Sequence, residues 1–235
     1  MRVVISAPRK SGGAQLRCLL AMAYDLKSPP VSAPPGGEPG DVARWLADLP
    51  PESVATCDLP LSALHDSAEI SGVSLVGVIR HPFDLLVSTF DVAQQRAARG
   101  RGDDGVNGPW GILAGQEISS AAVQDYATTT FSQEVAALRE WSDSGHAVRY
   151  EVLQADPAAA LRSVSPRLGE LDAEQITHAV GLCPAENVVS SRPGRGRRMP
   201  ELPPGAWRER LPSRLRETLR DCYADDVAAL GYDAG

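Results

Sequence analysis

The sequence predicts an α/β protein with a central, mostly parallel sheet of about four to five strands flanked by helices. Short apolar runs alternate along the chain with longer amphipathic segments, and this alternation favours a layered sheet. The run at 73–79 is nearly continuous in apolar character, as expected of a parallel strand covered on both faces. Hydrophobic residues make up 43% of the 235 residues, which is enough for the core of a single domain spanning 1–235.

The individual elements follow from periodicity and from the residues that bound each run. Buried strands are predicted at 2–7, 53–57, 73–79 and 147–152. Helices are predicted at 14–26, 40–49, 82–98, 119–143, 155–167, 172–181 and 211–230. Stretches rich in Pro, Gly and polar residues predict flexible loops at 28–40, 99–117 and 192–205. Because a long polar loop between two helices is often a lid or a substrate-contacting segment, we expect specificity to reside in 99–117.

The charge is acidic overall but unevenly distributed. A net charge of −7 argues against a general nucleic-acid binder. Residues 192–220 nevertheless hold nine arginines against three glutamates. This basic segment indicates either a discrete anionic ligand or a solvated helix face.

The cysteines and the apolar runs indicate the cellular compartment that the sequence predicts. Cys18, Cys57, Cys183 and Cys222 show no CxxC or Cys/His spacing, so they predict no metal site. Cys18 stands among apolar neighbours and is interpreted as a small core residue. The N-terminal apolar run is too short for a signal peptide, and no run is long enough to span a bilayer. We therefore expect a soluble, cytoplasmic protein with reduced thiols.

The first strand leads into a turn with the chemistry of an anion site. Pro8-Arg9-Lys10-Ser11-Gly12-Gly13 separates the apolar run 2–7 from the first helix. Main-chain N–H groups of such a turn and the helix N-terminus can face an anion, and a lysine adds a mobile charge. Lys10 is one of only two lysines in a chain that otherwise uses arginine, which suggests a need for an ammonium group. An ordinary strand–turn–helix corner is the alternative interpretation.

A second corner of the same kind follows the third strand. Arg80 comes directly after the run 73–79, Pro82 suits the first turn of a helix, and Ser88 lies two helical turns beyond Arg80. Open α/β sheets bind ligands at the carboxyl ends of their strands. Two basic corners after two parallel strands together predict one bound anionic ligand.

The two corners together resemble the sulfotransferases that use 3′-phosphoadenosine 5′-phosphosulfate (PAPS). Residues 9–13 are similar to the family's PKSGTTW and RKGGT turns, and Arg80, Pro82 and Ser88 match its strand–RDP/RNP–serine pattern. The segment 149–157 resembles RYEDL…DP, and 192–208 resembles a degraded RKG…W(K/R) signature. The resemblance implies a P-loop-like sulfotransferase architecture. Residues 10–20 are especially similar to bacterial sulfotransferases that modify glycopeptide antibiotics.

The resemblance also implies a role for each matching residue. PAPS would be the donor and 3′-phosphoadenosine 5′-phosphate (PAP) the product, with no metal. The turn 9–14 would hold the 5′-phosphosulfate, and Lys10 would neutralise charge on the bridging oxygen. Arg80 and Ser88 would hold the 3′-phosphate, while Tyr150 would lie against the adenine or be a half-buried strand tyrosine. The donor-binding residues implied are Arg9, Lys10, Ser11, Gly12, Gly13, Ala14, Arg80, Ser88, Tyr150, Arg192 and Gly194.

The chain departs from the family pattern at the general base and in the turn. The family's usual histidine is replaced by Asp58 in Thr56-Cys57-Asp58-Leu59-Pro60. An ordinary aspartate is a weak base at neutral pH, and burial would strengthen it. Asp58 is therefore predicted to be the catalytic base, with a positioning role or an ordinary strand-end aspartate as alternatives. Gly13, Ala14 and Gln15 replace hydroxyl and tryptophan side chains, which predicts weaker donor binding.

Other functions remain open from the sequence. A P-loop kinase or NTPase needs GxxxxGK[ST] with lysine after the last glycine, whereas Lys10 precedes Gly12. A nucleotide-binding protein that has lost transfer would also fit the altered base. The main interpretation is an enzyme acting on a hydroxyl of a small molecule, with a bacterial secondary metabolite as acceptor and antibiotic biosynthesis as context. We expect no nucleic-acid or membrane partner, and a homodimer is possible.

Overall fold

The structure is a computed structural model, which describes residues 1–29, 33–34, 37–98, 109–184 and 202–234. The chain divides into two compact units, one formed by 1–79 with 140–200 and the other by 80–139 with 201–235. Parts of all three predicted loops lie outside the described residues, and so do two of the predicted site residues, Arg192 and Gly194.

The first unit contains a four-stranded parallel sheet. Its strands are β1 Arg2–Ser6, β2 Ser53–Cys57, β3 Ser74–Ile79 and β4 Ala147–Arg149. Their order is β2-β1-β3-β4, and every neighbouring pair is parallel. The predicted α/β class and parallel sheet are confirmed. Since the strands are parallel, the residues that follow β1 and β2 emerge at the same edge of the sheet.

Helices connect and flank the strands. In chain order they are α1 Gly13–Ala23, α2 Pro39–Ala47, α3 Leu61–Ser71, α4 Pro82–Ala98, α5 Pro109–Leu113, α6 Ala121–Thr128, α7 Phe131–Asp143, α8 Tyr150–Ala155, α9 Pro157–Leu168, α10 Ala173–Leu182, α11 Trp207–Arg210 and α12 Ser213–Ala229. In the first unit, α1 packs on β1, β2, α9 and α10. In the second, α5 packs on α4 and α6, and α6 packs on α12.

One predicted strand is shorter than the sequence pattern suggests. The strand predicted at 147–152 ends at Arg149, and Tyr150 begins α8. Because β4 pairs with β3 over a short register, little ladder bonding holds the chain extended beyond that point. The Asp156 side chain then accepts a hydrogen bond from the N–H of Ala159 and caps the start of α9.

The helix predicted at 119–143 is two helices. The break falls at the Thr128–Thr130 run, where the Thr129 hydroxyl donates to the carbonyl of Asp125 at 2.7 Å. Threonine side chains offer the last carbonyls of a helix an alternative partner, and β-branching disfavours continuing it. Three helices lie outside every predicted helix and strand. These are α3, α5 and α11, and α5 lies inside the loop predicted at 99–117.

A disulfide corrects the expectation of reduced thiols. Cys18 on α1 is bonded to Cys183, the residue that follows α10, with their Cα atoms 5.9 Å apart. The helices α1 and α10 pack against each other, and Cys183 is buried in the core of the first unit. The sequence offered no spacing rule for this pair because the two residues are 165 positions apart. Cys18 is therefore a cross-link rather than an isolated core thiol.

We expect reduction of this disulfide to lower the free energy of unfolding by about 2–4 kcal/mol, because it closes a long loop in the unfolded chain. The measurement is a urea titration with and without dithiothreitol, repeated on Cys183→Ser and on Cys222→Ser. Cys222 is a free, exposed cysteine, so Cys222→Ser is the matched control. Four titratable thiols in the untreated, denatured protein would contradict the cross-link.

Among the described residues, no helix is both long and apolar enough to cross a membrane.

Candidate functional site

The turn after β1 has an unusual backbone. Lys10 has φ +64° and Gly12 has φ +79°, both in the left-handed region. A left-handed conformation costs a lysine roughly 1–2 kcal/mol, and such strain is characteristic of functional sites. Gly12 is the residue immediately before α1, and no side chain caps that helix. The turn and the start of α1 thus have the form of a main-chain anion cradle.

Both glycines of the turn are required by close packing. A Cβ at Gly12 would lie 2.8 Å from Cδ2 of Leu153, and a Cβ at Gly13 would lie 2.7 Å from Cβ of Ala7. Contacts this short would force backbone or core atoms to move. Because neither glycine has a side chain, the main chain of the turn can pack closely against Leu153 and Ala7.

Ser11 carries a hydroxyl that has no hydrogen-bond partner in the part of the chain that the structure describes. Its side chain is fully buried, and its Oγ makes no hydrogen bond within the described residues. A buried hydroxyl left in this way costs about 1–3 kcal/mol. Its main-chain N–H donates to the carbonyl of Pro8 at 3.1 Å, which fixes Ser11 inside the turn. A phosphate or sulfate oxygen bound at this turn would accept a hydrogen bond from the Ser11 hydroxyl and so satisfy it.

Asp58, the predicted base, lies at the same sheet edge as the turn. It follows Cys57, which pairs with Ser6 at the carboxyl end of β1, and the N–H of Ala7 donates to the carbonyl of Cys57 at 3.0 Å. The Asp58 carboxylate forms an ion pair with Arg9, with 3.3 Å between Oδ2 and Nε. Both side chains are half exposed. The structure thus brings two predicted site residues together.

The Asp58 side chain lacks the burial on which its role as a base was expected to depend. It stays in contact with water, and the Arg9 guanidinium lies beside it. Asp58 therefore stands where it can act on a ligand that the turn holds. Its assignment as catalytic base stays a prediction.

Cys57, beside Asp58, is not an alternative nucleophile. Burial, reinforced by the negative charge of Asp58, raises the pKa of the Cys57 thiol to about 11. The thiol stays protonated at neutral pH, and only the thiolate is reactive. We expect iodoacetamide at mildly alkaline pH to modify Cys222 well before Cys57, as measured by mass spectrometry of tryptic peptides. Equal modification rates in the folded protein would contradict this.

The second predicted corner lies at the start of the second unit. Arg80 Nη1 donates to Oγ of Ser88 at 2.9 Å, and Nη2 donates to the carbonyl of Leu202 at 3.0 Å. Arg80 and Ser88 are both buried. They meet because Ser88 lies two turns along α4, on the same face as the chain that enters the helix. The structure therefore brings together the two residues that the sequence assigned to one phosphate.

The sequence did not indicate the structural contacts of two residues close to Arg80, namely Asp84 and His81. Asp84, in the first turn of α4, accepts hydrogen bonds from the N–H groups of Gly205 and Trp207. His81 accepts the N–H of Phe83 at Nδ1 and donates from Nε2 to the carbonyl of Asp233. An aspartate early in a helix usually marks only a favourable charge near the N-terminus, so nothing in the sequence indicated these long-range partners.

Tyr150 and Gln15 are both buried. Tyr150 is 1% exposed, and its Cδ2 would be 3.2 Å from a Cβ at Gly12. It therefore supports the turn from below and presents no open face in this structure. Gln15 is also buried, and its Oε1 accepts a hydrogen bond from Nε2 of Gln154 at 2.6 Å. The contact of Tyr150 with adenine stays a prediction.

His65 is the histidine that follows Asp58 along the chain. It lies exposed on α3, where Nδ1 is 3.0 Å from the carboxylate of Asp66, and this hydrogen bond raises its pKa. The position agrees with a surface-helix histidine rather than with a second base.

Comparison with known proteins gives matches in structure only. Neither a protein-family model nor a curated protein sequence matches the chain. A mouse sulfotransferase, SULT7A1, complexed with PAP, has a TM-score of 0.68 and 14% identity over 98% of this chain and 88% of that chain. Retinol dehydratase in complex with retinol and PAP has a TM-score of 0.55 and 14% identity over 97% and 82%.

A bacterial structure matches in the same way. It is a sulfotransferase from Alicyclobacillus acidocaldarius, with a TM-score of 0.51 and 14% identity over 97% of this chain and 93% of that chain. The strand–turn–helix order, the parallel sheet and these near-full-length similarities agree: this chain has the sulfotransferase fold.

Proposed function

We propose that the protein is a PAPS-dependent sulfotransferase that transfers a sulfuryl group to a hydroxyl of a small molecule. The observation that carries the proposal is the turn after β1. Its left-handed Lys10 and Gly12 precede α1, and its buried Ser11 hydroxyl has no hydrogen-bond partner among the described residues. This combination of main-chain donors, a cation and an unsatisfied hydroxyl fits the phosphosulfate end of the donor.

Two corners of the chain offer groups that bind anions, and each is described within its own unit. In the first unit, the turn 9–14 offers main-chain N–H groups and the ammonium of Lys10. In the second unit, Arg80 and Ser88 offer charge-assisted donors of the kind that bind phosphate bidentately. Solved structures with the same fold contain bound PAP, which supports nucleotide binding by this chain. Arg192 and Gly194, which lie outside the described residues, are proposed to assist at the 3′-phosphate.

The proposed reaction forms a bond between sulfur and the acceptor oxygen and breaks the bond between sulfur and the bridging phosphate oxygen. PAPS supplies the activated sulfuryl group. Lys10 stabilises the negative charge that develops on the leaving phosphate, which is the kind of interaction that usually contributes most to catalysis. Asp58, at the carboxyl end of β2, takes the proton of the acceptor hydroxyl.

We expect Asp58→Asn to lower kcat by about 10²–10⁴-fold with little change in the KM for PAPS, because a base acts only in the transition state. The measurement is steady-state kinetics of PAP release. Asp66→Asn, an exposed aspartate next to a histidine on α3, is the matched control. If Asp58 only positions Arg9, the substitution will instead raise the KM for PAPS and leave kcat nearly intact.

The acceptor is proposed to be a bacterial secondary metabolite, from the similarity of 10–20 to antibiotic-modifying sulfotransferases. The loop 99–117 is the proposed determinant of specificity, although 99–108 lies outside the described residues. Its far end is fixed by Gln94 on α4. The Gln94 Nε2 donates to the carbonyls of Leu113 and Gln116, and its Oε1 accepts the N–H of Gly115. The loop therefore has a defined anchor at this end.

A second candidate function is nucleotide binding without transfer. It is favoured by one observation, the ion pair that Arg9 forms with the half-exposed Asp58. This pair gives the carboxylate of the proposed base a cationic partner within the turn. Turnover separates the two functions, because only the sulfotransferase releases PAP in amounts exceeding the enzyme.

The test is PAP release from PAPS with a panel of phenolic and aliphatic alcohols, in the presence of EDTA. The proposal predicts acceptor-dependent turnover that EDTA does not affect, because sulfuryl transfer requires no metal. Tight PAP binding with no turnover on any acceptor would favour the second function. Turnover of ATP that requires Mg²⁺ would overturn both in favour of a phosphoryl-transfer enzyme.

A further inference from the structure

Asp84 is a buried carboxylate to which neither the sequence nor the proposed reaction gives a task. It is fully buried in the second unit. Removing a carboxylate from water costs several kcal/mol unless charge or hydrogen bonds compensate. Here both oxygens are used. The N–H of Gly205 donates to Oδ2 at 2.6 Å, and the N–H of Trp207 donates to Oδ1 at 2.9 Å.

These two bonds hold the segment 202–208, called here the clamp segment, against the start of α4. The Trp207 ring is fully buried and meets the Phe83 ring edge-on, with centroids 5.0 Å apart. The same ring stacks on His81 at 5.2 Å. Gly205 has φ +84° and could not carry a Cβ without crowding Nη1 of Arg208 at 3.0 Å. The clamp segment is thus fixed by backbone bonds and by aromatic packing at the same helix end.

The clamp segment also contacts Arg80. The carbonyl of Leu202 accepts a hydrogen bond from Nη2 of Arg80 at 3.0 Å, while Nη1 is held by Ser88. A guanidinium is a rigid planar fork, so fixing both terminal nitrogens fixes the direction of its remaining N–H groups. Leu202 can act as a fixed acceptor only where the chain that follows it is anchored. Asp84 provides that anchor.

We infer that Asp84 is a positioning residue for 3′-phosphate recognition: through Gly205, Trp207 and Leu202 it sets the orientation of the Arg80 guanidinium. This inference rests on the proposed function, and it adds a residue to which that function assigned no role. Asp84 touches no ligand in this account. Its effect is therefore expected on a ligand that carries a 3′-phosphate and not on one that lacks it.

The experiment compares PAP with adenosine 5′-phosphate, which lacks the 3′-phosphate, by calorimetric titration of wild type and Asp84→Asn. The amide keeps the size of the side chain, but its NH₂ group faces the main-chain N–H of either Gly205 or Trp207. An NH₂ group cannot accept a hydrogen bond from that N–H, so one of the two bonds is lost. We expect a PAP dissociation constant about 10-fold or more higher, in line with a lost charge-assisted hydrogen bond, and an unchanged constant for adenosine 5′-phosphate. Asp91→Asn is the matched control, since Asp91 lies on the same helix and pairs with Arg210.

A double-mutant cycle with Arg80→Lys distinguishes positioning from simple destabilisation. If Asp84 acts through Arg80, Asp84→Asn adds little to the loss of PAP affinity already caused by Arg80→Lys. Additive losses, or equal losses for PAP and adenosine 5′-phosphate, would overturn the inference while leaving the proposed function intact. Wild-type protein that binds neither nucleotide would overturn the proposed function, and the inference with it.

A gentler variant keeps the inference testable if Asp84→Asn does not fold. Gly205→Ala places a Cβ at a left-handed residue of the clamp segment, which displaces the N–H that Asp84 accepts. We expect a smaller loss of the same kind, confined to PAP. Gly72→Ala is its control, because Gly72 has a similar φ of +61° with open space around it. A Gly205→Ala protein with wild-type PAP affinity would overturn the inference.

Discussion

Replacing Lys10 by alanine is expected to lower kcat for sulfuryl transfer by about 10²–10³-fold, the usual effect of removing one preorganised charge or donor from a transition state. Lys10 lies in a left-handed conformation at φ +64° in the turn before α1. Since alanine pays a similar backbone cost there, the variant isolates the ammonium group. The KM for PAPS should change much less than kcat, because the charge on the leaving oxygen develops only during the reaction.

Lys27→Ala is the matched control for this experiment. Lys27 is the only other lysine in the chain, and it is exposed. The rates are measured as PAP release at saturating donor. If Lys10→Ala retained wild-type kcat, or lost PAPS binding with kcat unchanged, the assignment of Lys10 to the leaving group would be wrong.

Replacing Arg80 is expected to weaken PAP binding about 10- to 100-fold, equivalent to losing a hydrogen-bonded ion pair with phosphate. Arg80 is fully buried, so Arg80→Ala would leave a cavity, and Arg80→Lys is the better variant. Lysine keeps the charge but cannot donate to Ser88 and the carbonyl of Leu202 from a single planar group. Calorimetric titration with PAP gives the change directly.

Arg210→Lys is the control for the Arg80 experiment. Arg210 is a partly exposed arginine of the same unit, paired with Asp91, and surface pairs contribute little to stability. Ser88→Ala should show a smaller loss than Arg80→Lys, because it removes one acceptor and no charge. Undiminished PAP affinity in Arg80→Lys would separate this corner from the 3′-phosphate.

The sequence predicted the sheet well because local patterns dominate it. The strands β1, β2 and β3 were found within one or two residues, since buried parallel strands are short apolar runs bounded by turn residues. The fourth strand was predicted too long because the apolar pattern at 147–152 continues into α8. There the apolar side chains are buried from a helix instead of a strand. Periodicity alone cannot distinguish the two over such a short run.

What the sequence missed depends on distant parts of the chain. The pairing of Cys18 with Cys183 follows from the packing of α1 on α10, and no sequence spacing encodes it. The bonds of Asp84 to Gly205 and Trp207 likewise join residues more than a hundred positions apart. Both features are consequences of tertiary structure, which a motif cannot reveal.

The sequence predicted one contact at the candidate site and missed others. Arg80 and Ser88 meet as their spacing predicts, because two helical turns place Ser88 back over the start of α4. The ion pair of Arg9 with Asp58 was not anticipated, because a partner within the turn could not be deduced from the segment around Asp58. Tyr150 was placed on a strand, whereas it begins a helix and is buried under Gly12.

The most direct test of the account is a calorimetric titration of the purified wild-type protein with PAP. The account predicts saturable binding at one site with a dissociation constant in the micromolar range, about 8 kcal/mol of binding free energy. Such binding would establish the nucleotide site on which the proposed reaction and the role of Asp84 depend. An absence of binding at high PAP concentration would contradict the account and leave this chain with the fold of the sulfotransferases alone.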